Sequence, residues 1–305
     1  MHADWTAFLE TQNLLDHLPK NAPCIASLSH LSVLSVTGKD AAVFLQGQTT
    51  CDINALTDST PMLGAFCNAK GRTLSTFIII KYEQSYLLLL TNELIDTIKK
   101  KLQMYILRAD VQLDNLSDQL CITGLHNTKL TSPQPHLYSY PQHKDSFLYI
   151  AESSQSQLFC TQLIDMQAAQ FVTSNAWTLL DIKSGIPWLN LETTEKFIPQ
   201  MLNLDKLEGI SFTKGCYTGQ EIVARTHYLG KNKRALYSAT CQTKMSIASG
   251  CSISEQAHPD DELGTVILSA HDIDTTHLLI VLKDQALEGK NLQLNNQNRD
   301  KITLN

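Results

Sequence analysis

The 305-residue sequence lacks the cysteine and histidine patterns that mark structural metal sites and redox pairs. Its eight cysteines include no CxxC pair, and no HExxH motif occurs among its ten histidines. Because structural zinc and iron–sulfur sites use closely spaced cysteine and histidine ligands, we expect no metal held by protein side chains alone. Most of the cysteines are instead expected to be reduced, buried, apolar residues.

A long apolar run is also missing. The most hydrophobic stretch, FIIIKYEQSYLLLLT, is interrupted by Lys81 and Glu83, whereas a membrane-spanning helix needs about 20 apolar residues. The first residues, MHADWTAFLETQNLLDHL, carry acids and lack the charged-then-apolar pattern of a signal peptide. These features predict a cytoplasmic protein without a membrane partner.

The chain as a whole has no excess of positive charge, because 24 Lys and Arg stand against 30 Asp and Glu, a formal net charge of −6. A site for a polyanion must therefore be a local patch. Residues 214–234 contain one acid, Glu221, and five basic residues. These are Lys214, Arg225, Lys231, Lys233 and Arg234. This basic patch suits phosphates or a row of carboxylates, or it is a solvated face balanced by acids from elsewhere.

Hydrophobic periodicity predicts an α+β fold. Strand-length apolar runs (MLGAFC, RTLSTFIIIKY, SYLLLLT) alternate with turns, and helices are predicted for 4–18, 41–53 and 93–107. The proline-containing stretch 127–145 is predicted to be a linker or long loop. Short strands after residue 234 predict a small β-barrel or sandwich. We therefore expect domains at 1–126, 127–233 and 234–305.

The stretch KGCYTGQE, residues 214–221, places Cys216 between two glycines. Thr218 and Glu221 fit a T-x-x-E capping box, which predicts a helix from about 219 to 228 that ends at Gly230. Cys216 would then precede a helix N-terminus, whose partial positive charge favours thiolate.

Neighbouring residues fit the same interpretation. Lys214 would favour thiolate if its side chain turned back, and Arg225 lies about one turn into the predicted helix. Gly215 and Gly219 allow backbone conformations closed to other residues and let a ligand approach the main chain. The alternative is a buried cysteine in a glycine-rich turn.

Three motifs resemble the YgfZ family of folate-binding proteins, which is related to the glycine-cleavage T-protein. They are KGCYTGQE with its flanks FIPQMLNLDKLEGISF and VARTHYLGKNKR, FLQGQTTCDI at 44–53, and AFCNAKGRTLSTF at 65–77. The resemblance extends from about residue 30 to 235. It implies two ferredoxin-like α+β modules followed by a C-terminal β-barrel, and tetrahydrofolate or a derivative as the ligand.

The resemblance also implies a functional cysteine, Cys216, within a ligand-binding patch. The patch residues are Lys214, Gly215, Tyr217, Gly219, Gln220 and Glu221. Trp177 matches an aromatic residue that the family places against folate, although it also fits the core face of an amphipathic helix. Two positions depart from the family. Leu31 stands where tryptophan is common, so it cannot stack as an aromatic. Lys183 replaces a carboxylate and cannot accept a hydrogen bond from the pterin amino group.

The function implied is that of an accessory factor for iron–sulfur cluster assembly or repair, including in tRNA-modifying enzymes. Cys216 would engage a sulfur species, a cluster or a partner thiol. Partners would be folate, iron–sulfur client or assembly proteins and, indirectly, tRNA, and the protein would be a monomer. Alternatives are a folate-dependent aminomethyltransferase, a tRNA-binding module that uses the basic patch, and a cysteine hydrolase with His227 as base.

Overall fold

The computed structural model describes residues 2–130, 134–230, 232–243, 246–287 and 291–305. The α-helices are α1 (Ala3–Glu10), α2 (Ala41–Gln46), α3 (Ile95–Gln103), α4 (Ser153–Gln167), α5 (Ser174–Ser184) and α6 (Gln220–Leu229). The first strands are β1 (Cys24–Ser27), β2 (Leu31–Thr37), β3 (Met62–Cys67), β4 (Thr73–Tyr82), β5 (Ser85–Thr91), β6 (Gln112–Asn115), β7 (Leu120–His126) and β8 (Leu137–Ser139). The later strands are β9 (Ser146–Glu152), β10 (Gln170–Val172), β11 (Arg234–Cys241), β12 (Ser252–Glu255), β13 (His258–Asp272), β14 (Thr275–Lys283), β15 (Leu292–Leu294) and β16 (Ile302–Leu304).

The chain divides into two compact units, each made of several segments. Unit 1 comprises Met1–Gln46, Ile53–Leu63 and Phe77–Trp177. Unit 2 comprises Gly47–Asp52, Gly64–Thr76 and Thr178–Asn305. The boundaries expected after residues 126 and 233 stay a prediction.

One five-stranded sheet has the order β10-β1-β7-β9-β8, in which β1 runs parallel to β10 and antiparallel to β7. Helices α1 and α4 pack together, and α4 also packs on β7 and β9. Large buried side chains, among them Trp5, Leu125 and Phe171, form the core between helices and sheet. The prediction of a loop at 127–145 is wrong in part, because β8 pairs with β9 there; residues 131–133 lie outside the described part.

A second five-stranded sheet has the order β3-β4-β5-β2-β6. Its central strands are apolar on both faces, as in the register Ile80↔Leu87, which agrees with full burial of both residues. Helix α3 packs on β2 and β6 and buries Ile95, Ile98 and Leu102, which recur at helical spacing.

The C-terminal sheet lies in unit 2 and has the order β15-β12-β13-β14-β11-β16. An isolated antiparallel bridge, Gln293↔Lys301, joins its two edges, so the sheet is almost closed into a barrel. Leu278, Ile280 and Leu282 recur at period two along β14 and are buried in the barrel core. The expected α+β fold with a C-terminal barrel is confirmed, and residues 244–245, within the stretch of predicted short strands, lie outside the described residues.

Three helices are shorter than predicted. Helix α3 spans Ile95–Gln103 instead of 93–107, because the residues after it form turn hydrogen bonds such as Tyr105 N to Leu102 O at 2.9 Å. Helix α1 ends at Glu10 rather than at residue 18, because the backbone of Leu15 bonds to Phe171 and Thr173 and joins the edge of the first sheet. Helix α2 ends at Gln46, because Thr50 bonds to Ala65 instead of continuing the helix. Among the described residues, no helix is long and apolar enough to cross a membrane.

Candidate functional site

Cys216 is the one exposed cysteine of the protein. All eight cysteines lie in the described part of the chain; six are buried and Cys251 is half-buried. Burial raises the pKa of Cys51 to about 11, against the opposing effect of the Lys214 ammonium, and that of Cys67 to about 12. The thiolate is the reactive form of cysteine, and burial keeps the other thiols protonated. Cys216, which is exposed, is therefore the best candidate for a reactive thiol.

The loop that carries Cys216 lies on a distant segment of the chain, Gly47–Asp52. Thr50 is fully buried; its Oγ1 donates to Gly209 O at 2.6 Å and accepts from Ala65 N at 2.9 Å. Ser211 N donates to Thr50 O at 2.9 Å. One threonine therefore joins strand β3, the Gly47–Asp52 segment and the start of the Cys216 loop within unit 2.

Lys214 fixes the same two segments together. Its side chain is buried, and Nζ donates to Thr49 O at 2.8 Å and to Cys51 O at 2.6 Å. Nζ also lies 5.3 Å from the ring centroid of Tyr217, within range of a cation–π interaction. Burial lowers the pKa of Lys214 to about 8, opposed by Cys51 and Asp52. The ammonium thus holds backbone carbonyls, a contact that the sequence did not predict.

Helix α6 begins as a result of a glycine rather than a capping box. Its N-cap is Gly219, with φ +83° and no side-chain cap. The predicted cap at Thr218 is wrong: its N–H donates to Gly47 O at 3.2 Å and its hydroxyl to Gln48 Oε1 at 3.3 Å. A Cβ at Gly219 would lie 2.5 Å from Asn68 O, so only glycine fits this approach.

The neighbours of Cys216 in the motif differ in exposure: Gly215 and Glu221 are exposed, whereas Tyr217 is buried. Gly215 is exposed, and a Cβ there would meet no atom within 4 Å. Tyr217 is buried, which raises its pKa, and its carbonyl accepts from Gln220 N at 3.1 Å. Glu221 is exposed in the first turn of α6. The space above the loop is therefore open on the side of Gly215 and Cys216.

The last turn of α6 bears an aromatic cluster. The His227 ring stacks on Phe212 with centroids 3.7 Å apart and an interplanar angle of 16°, and Tyr228 meets both rings edge-on. Within the described residues no hydrogen bond joins Cys216 to a histidine. The arrangement offers no support for a cysteine hydrolase with His227 as base.

The predicted basic patch is less concentrated than its sequence suggests. Lys214 is buried and bound to carbonyls, and Lys231 lies outside the described residues. Arg225 and Lys233 are exposed, and Arg234 is half-buried at the start of β11. The exposed positive charge is therefore spread along α6 and into the barrel.

The two predicted pterin-binding residues belong to unit 1. Trp177 is fully buried, packs against Gly124 and meets Tyr140 edge-on at 5.2 Å. Its indole N–H has no hydrogen-bond partner among the described residues. Leu31 lines a cavity of about 130 Å³, smaller than the roughly 300–1,000 Å³ usual for organic ligands. As placed, Trp177 is a core residue with one unsatisfied donor.

A buried carboxylate near the predicted pterin position was missed. Lys183 is exposed, but Asp181, two residues earlier on α5, is fully buried and accepts from Trp188 Nε1 at 3.0 Å. The signal in the sequence is an acid inside an otherwise apolar run, WTLLDI.

Comparison with known proteins agrees with this architecture. Residues 19–126 match the model of the GCVT N-terminal domain. The chain is 34% identical over 249 residues to "tRNA-modifying protein YgfZ" of Colwellia psychrerythraea, with 76% of each chain covered. It is 35% identical over 233 residues to the protein of that name from Yersinia pestis, covering 70% of this chain and 69% of the other.

A solved structure shows the same fold. Glycine cleavage system aminomethyltransferase T from Bartonella henselae superposes with a TM-score of 0.72. The match covers 99% of this chain and 87% of the other at 14% sequence identity. At that identity the similarity establishes the fold alone.

Proposed function

Since the chain belongs to the YgfZ family, we propose that it is a folate-dependent accessory protein that supports iron–sulfur enzymes, including tRNA-modifying ones, through Cys216. It would act in the cytoplasm as a monomer. The observation that carries the proposal is the exposed thiol on a loop fixed at both sides by Lys214 and Gly219.

A fixed loop with an exposed thiol suits transient contact with a second molecule. Hydrogen bonds at Thr50 and Lys214 hold the backbone before Cys216, and Thr218 N, which donates to Gly47 O, holds it after Cys216. Little order is therefore lost when a partner engages the sulfur. Partners of this kind are a sulfur species, a cluster or another protein's thiol. The relatives are named tRNA-modifying proteins, which supports a client enzyme in tRNA modification.

Two features support folate as the cofactor. The unsatisfied indole N–H of Trp177 is a buried donor that a ligand carbonyl could accept from. Cations along α6 and the barrel suit the carboxylate tail. Tetrahydrofolate, when bound, supplies one-carbon chemistry, and Trp177 would hold its ring system.

An aminomethyltransferase needs a carboxylate that reaches the folate ring. Asp181 is the buried acid nearest the family's carboxylate position, but its Oδ2 accepts from Trp188 and its side chain is 0% exposed. This arrangement favours a structural role for Asp181. The accessory role of Cys216 is therefore the better supported function.

Complementation in cells tests the proposal. In a bacterium that lacks its own family member, we expect Cys216→Ala to leave thiolated tRNA at the level of the empty strain, because the thiol is removed while the loop hydrogen bonds remain. Mass spectrometry of tRNA nucleosides measures this. The matched control is Cys251→Ala, a half-buried thiol in the barrel, which should restore thiolation fully. Full restoration by Cys216→Ala at equal protein level would contradict the proposal.

A further inference from the structure

Unit 2 contains a cavity of about 650 Å³ that is separate from the Cys216 loop. Three basic side chains line it, Arg72, Lys196 and Arg234, together with two acids, Glu195 and Glu262. Its volume falls within the roughly 300–1,000 Å³ typical of small-ligand sites.

The walls of the cavity are held by backbone hydrogen bonds. Thr73 N donates to Phe197 O and Glu195 N to Thr73 O, both at 2.8 Å, so residues 195–197 run along the start of β4. Arg72 Nη1 donates to Lys196 O at 2.9 Å. The cations are thus presented from fixed backbone rather than from a free loop.

These cations form no close ion pair among the described residues. Among the described residues no carboxylate lies within 4 Å of the charged groups of Arg72, Lys196 or Arg234. Of the two lining acids, Glu195 accepts from Asn68 Nδ2 at 3.2 Å and Glu262 from Thr265 Oγ1 at 3.3 Å. Three cations in a concave site without ion pairs attract an anionic ligand.

The mixture of charges selects the kind of anion. Planar guanidinium groups of Arg72 and Arg234 match carboxylates in a two-bond fork. Glu195 and Glu262 on the same walls repel a dense phosphate cluster but accept hydrogen bonds from amide N–H groups. No aromatic face lies open among the lining residues, since Phe197 is 1% exposed, so a stacked nucleobase is not favoured.

We propose that this cavity binds an oligo-γ-glutamyl chain, in which carboxylates alternate with amides. The inference rests on the proposed folate function, because such a chain is the tail of polyglutamylated folates. The cavity is also linked to the Cys216 loop within unit 2. The turn 68–72 that carries Arg72 packs against the start of α6, where a Cβ on Gly219 would lie 3.0 Å from Gly71 Cα.

Calorimetric titration of the full chain with three probes tests the inference: tetrahydrofolate with one glutamate, tetrahydrofolate with three, and free tri-γ-glutamate. We expect the triglutamyl form to bind about tenfold more tightly than the monoglutamyl form, as for one or two charge-assisted hydrogen bonds. Arg234→Gln should abolish that difference and weaken free tri-γ-glutamate to the same extent. The control Lys206→Gln removes an exposed cation of unit 2 that does not line the cavity, and it should leave the affinity difference between the two folates unchanged.

The outcomes separate this inference from the folate proposal. Equal affinity for the two folates in the unaltered protein, or an equal loss of both in Arg234→Gln, would overturn the cavity assignment and leave folate binding intact. Binding of free tri-γ-glutamate that Arg234→Gln weakens would support the cavity even if neither folate bound. Pyrophosphate that binds as tightly as tri-γ-glutamate and is lost in Arg234→Gln would assign the cavity to phosphates instead.

Discussion

At the scale of single residues, burial separates side chains of the same type into different roles. Burial raises the pKa of Cys24 to about 12 and that of Cys121 to about 11, which keeps both thiols protonated at neutral pH. Cys216 is exposed. Most cysteines of this protein therefore pack in the core, whereas Cys216 exposes its thiol to other molecules.

His30 shows the effect of burial on a base. The residue lies in the turn between β1 and β2, and both ring nitrogens are shielded from solvent with no hydrogen-bond partner among the described residues. Burial lowers its pKa from 6.5 to about 4. Between pH 6.5 and pH 4, His30 is protonated in the unfolded chain but stays neutral in the folded protein. The free energy of unfolding therefore falls as the pH falls.

We predict that His30→Gln makes stability less sensitive to acid. Between pH 7 and pH 5 the unaltered protein should lose about 2 kcal/mol of unfolding free energy through His30, at 1.36 kcal/mol per pKa unit, and the variant should lose that much less. Urea unfolding at the two pH values measures the difference. His17→Gln, at an exposed position, is the control. An unchanged pH dependence in His30→Gln would show that the imidazole is not held neutral.

Lys214 marks the limit of sequence reasoning at this scale. The sequence places it two residues from Cys216, which suggested an effect on the thiol. The structure shows its ammonium on the carbonyls of Thr49 and Cys51, more than 160 residues away along the chain. A motif indicates which residues are close in sequence, whereas the direction of a long side chain depends on partners contributed by distant segments.

At the scale of elements, the two glycines of KGCYTGQE have different duties. Gly219 has a left-handed backbone and closely approaches Asn68 O and Cys67. Gly215 has open space around its Cα and lies outside the left-handed region. The first therefore positions α6 on the turn 68–72, and the second leaves room beside the thiol.

We predict opposite outcomes for alanine at these positions. Gly219→Ala should lower the unfolding free energy by at least ~2 kcal/mol, because left-handed strain costs about 1–2 kcal/mol and the methyl group meets a backbone oxygen. Gly215→Ala, the matched control, should change it by less than about 1 kcal/mol and can stabilise the fold by restricting the unfolded chain. Urea denaturation measures both, and a Gly219→Ala protein as stable as Gly215→Ala would contradict the assignment.

Several strands were predictable to within a residue or two, whereas helix ends were not. MLGAFC and SYLLLLT are strands over the residues expected, because a short apolar run between turn residues has few other ways to be buried. Helix α1 instead ends at Glu10, before its predicted end at residue 18, because the backbone of Leu15 is hydrogen-bonded to the first sheet. Such an end is set by a tertiary hydrogen bond that no local pattern records.

At the scale of the whole molecule, the two units are discontinuous in sequence. Gly47–Asp52 belongs to unit 2 although residues on both sides of it belong to unit 1. The motif FLQGQTTCDI therefore contributes to the Cys216 site through backbone carbonyls of Thr49 and Cys51 and the hydroxyl of Thr50. The sequence identified the motifs but could not show that one of them supports the other.

Alkylation of the native protein, resolved cysteine by cysteine, tests the role of Cys216 most directly. Iodoacetamide should modify Cys216 first at neutral pH, with Cys251 slower and the six buried cysteines modified only after unfolding. Peptide mass spectrometry over time measures each rate, and Cys216→Ala should lack the fast phase. Reaction of Cys216 no faster than that of Cys251, or earlier reaction at Cys51 or Cys67, would contradict an accessible functional thiol on this loop.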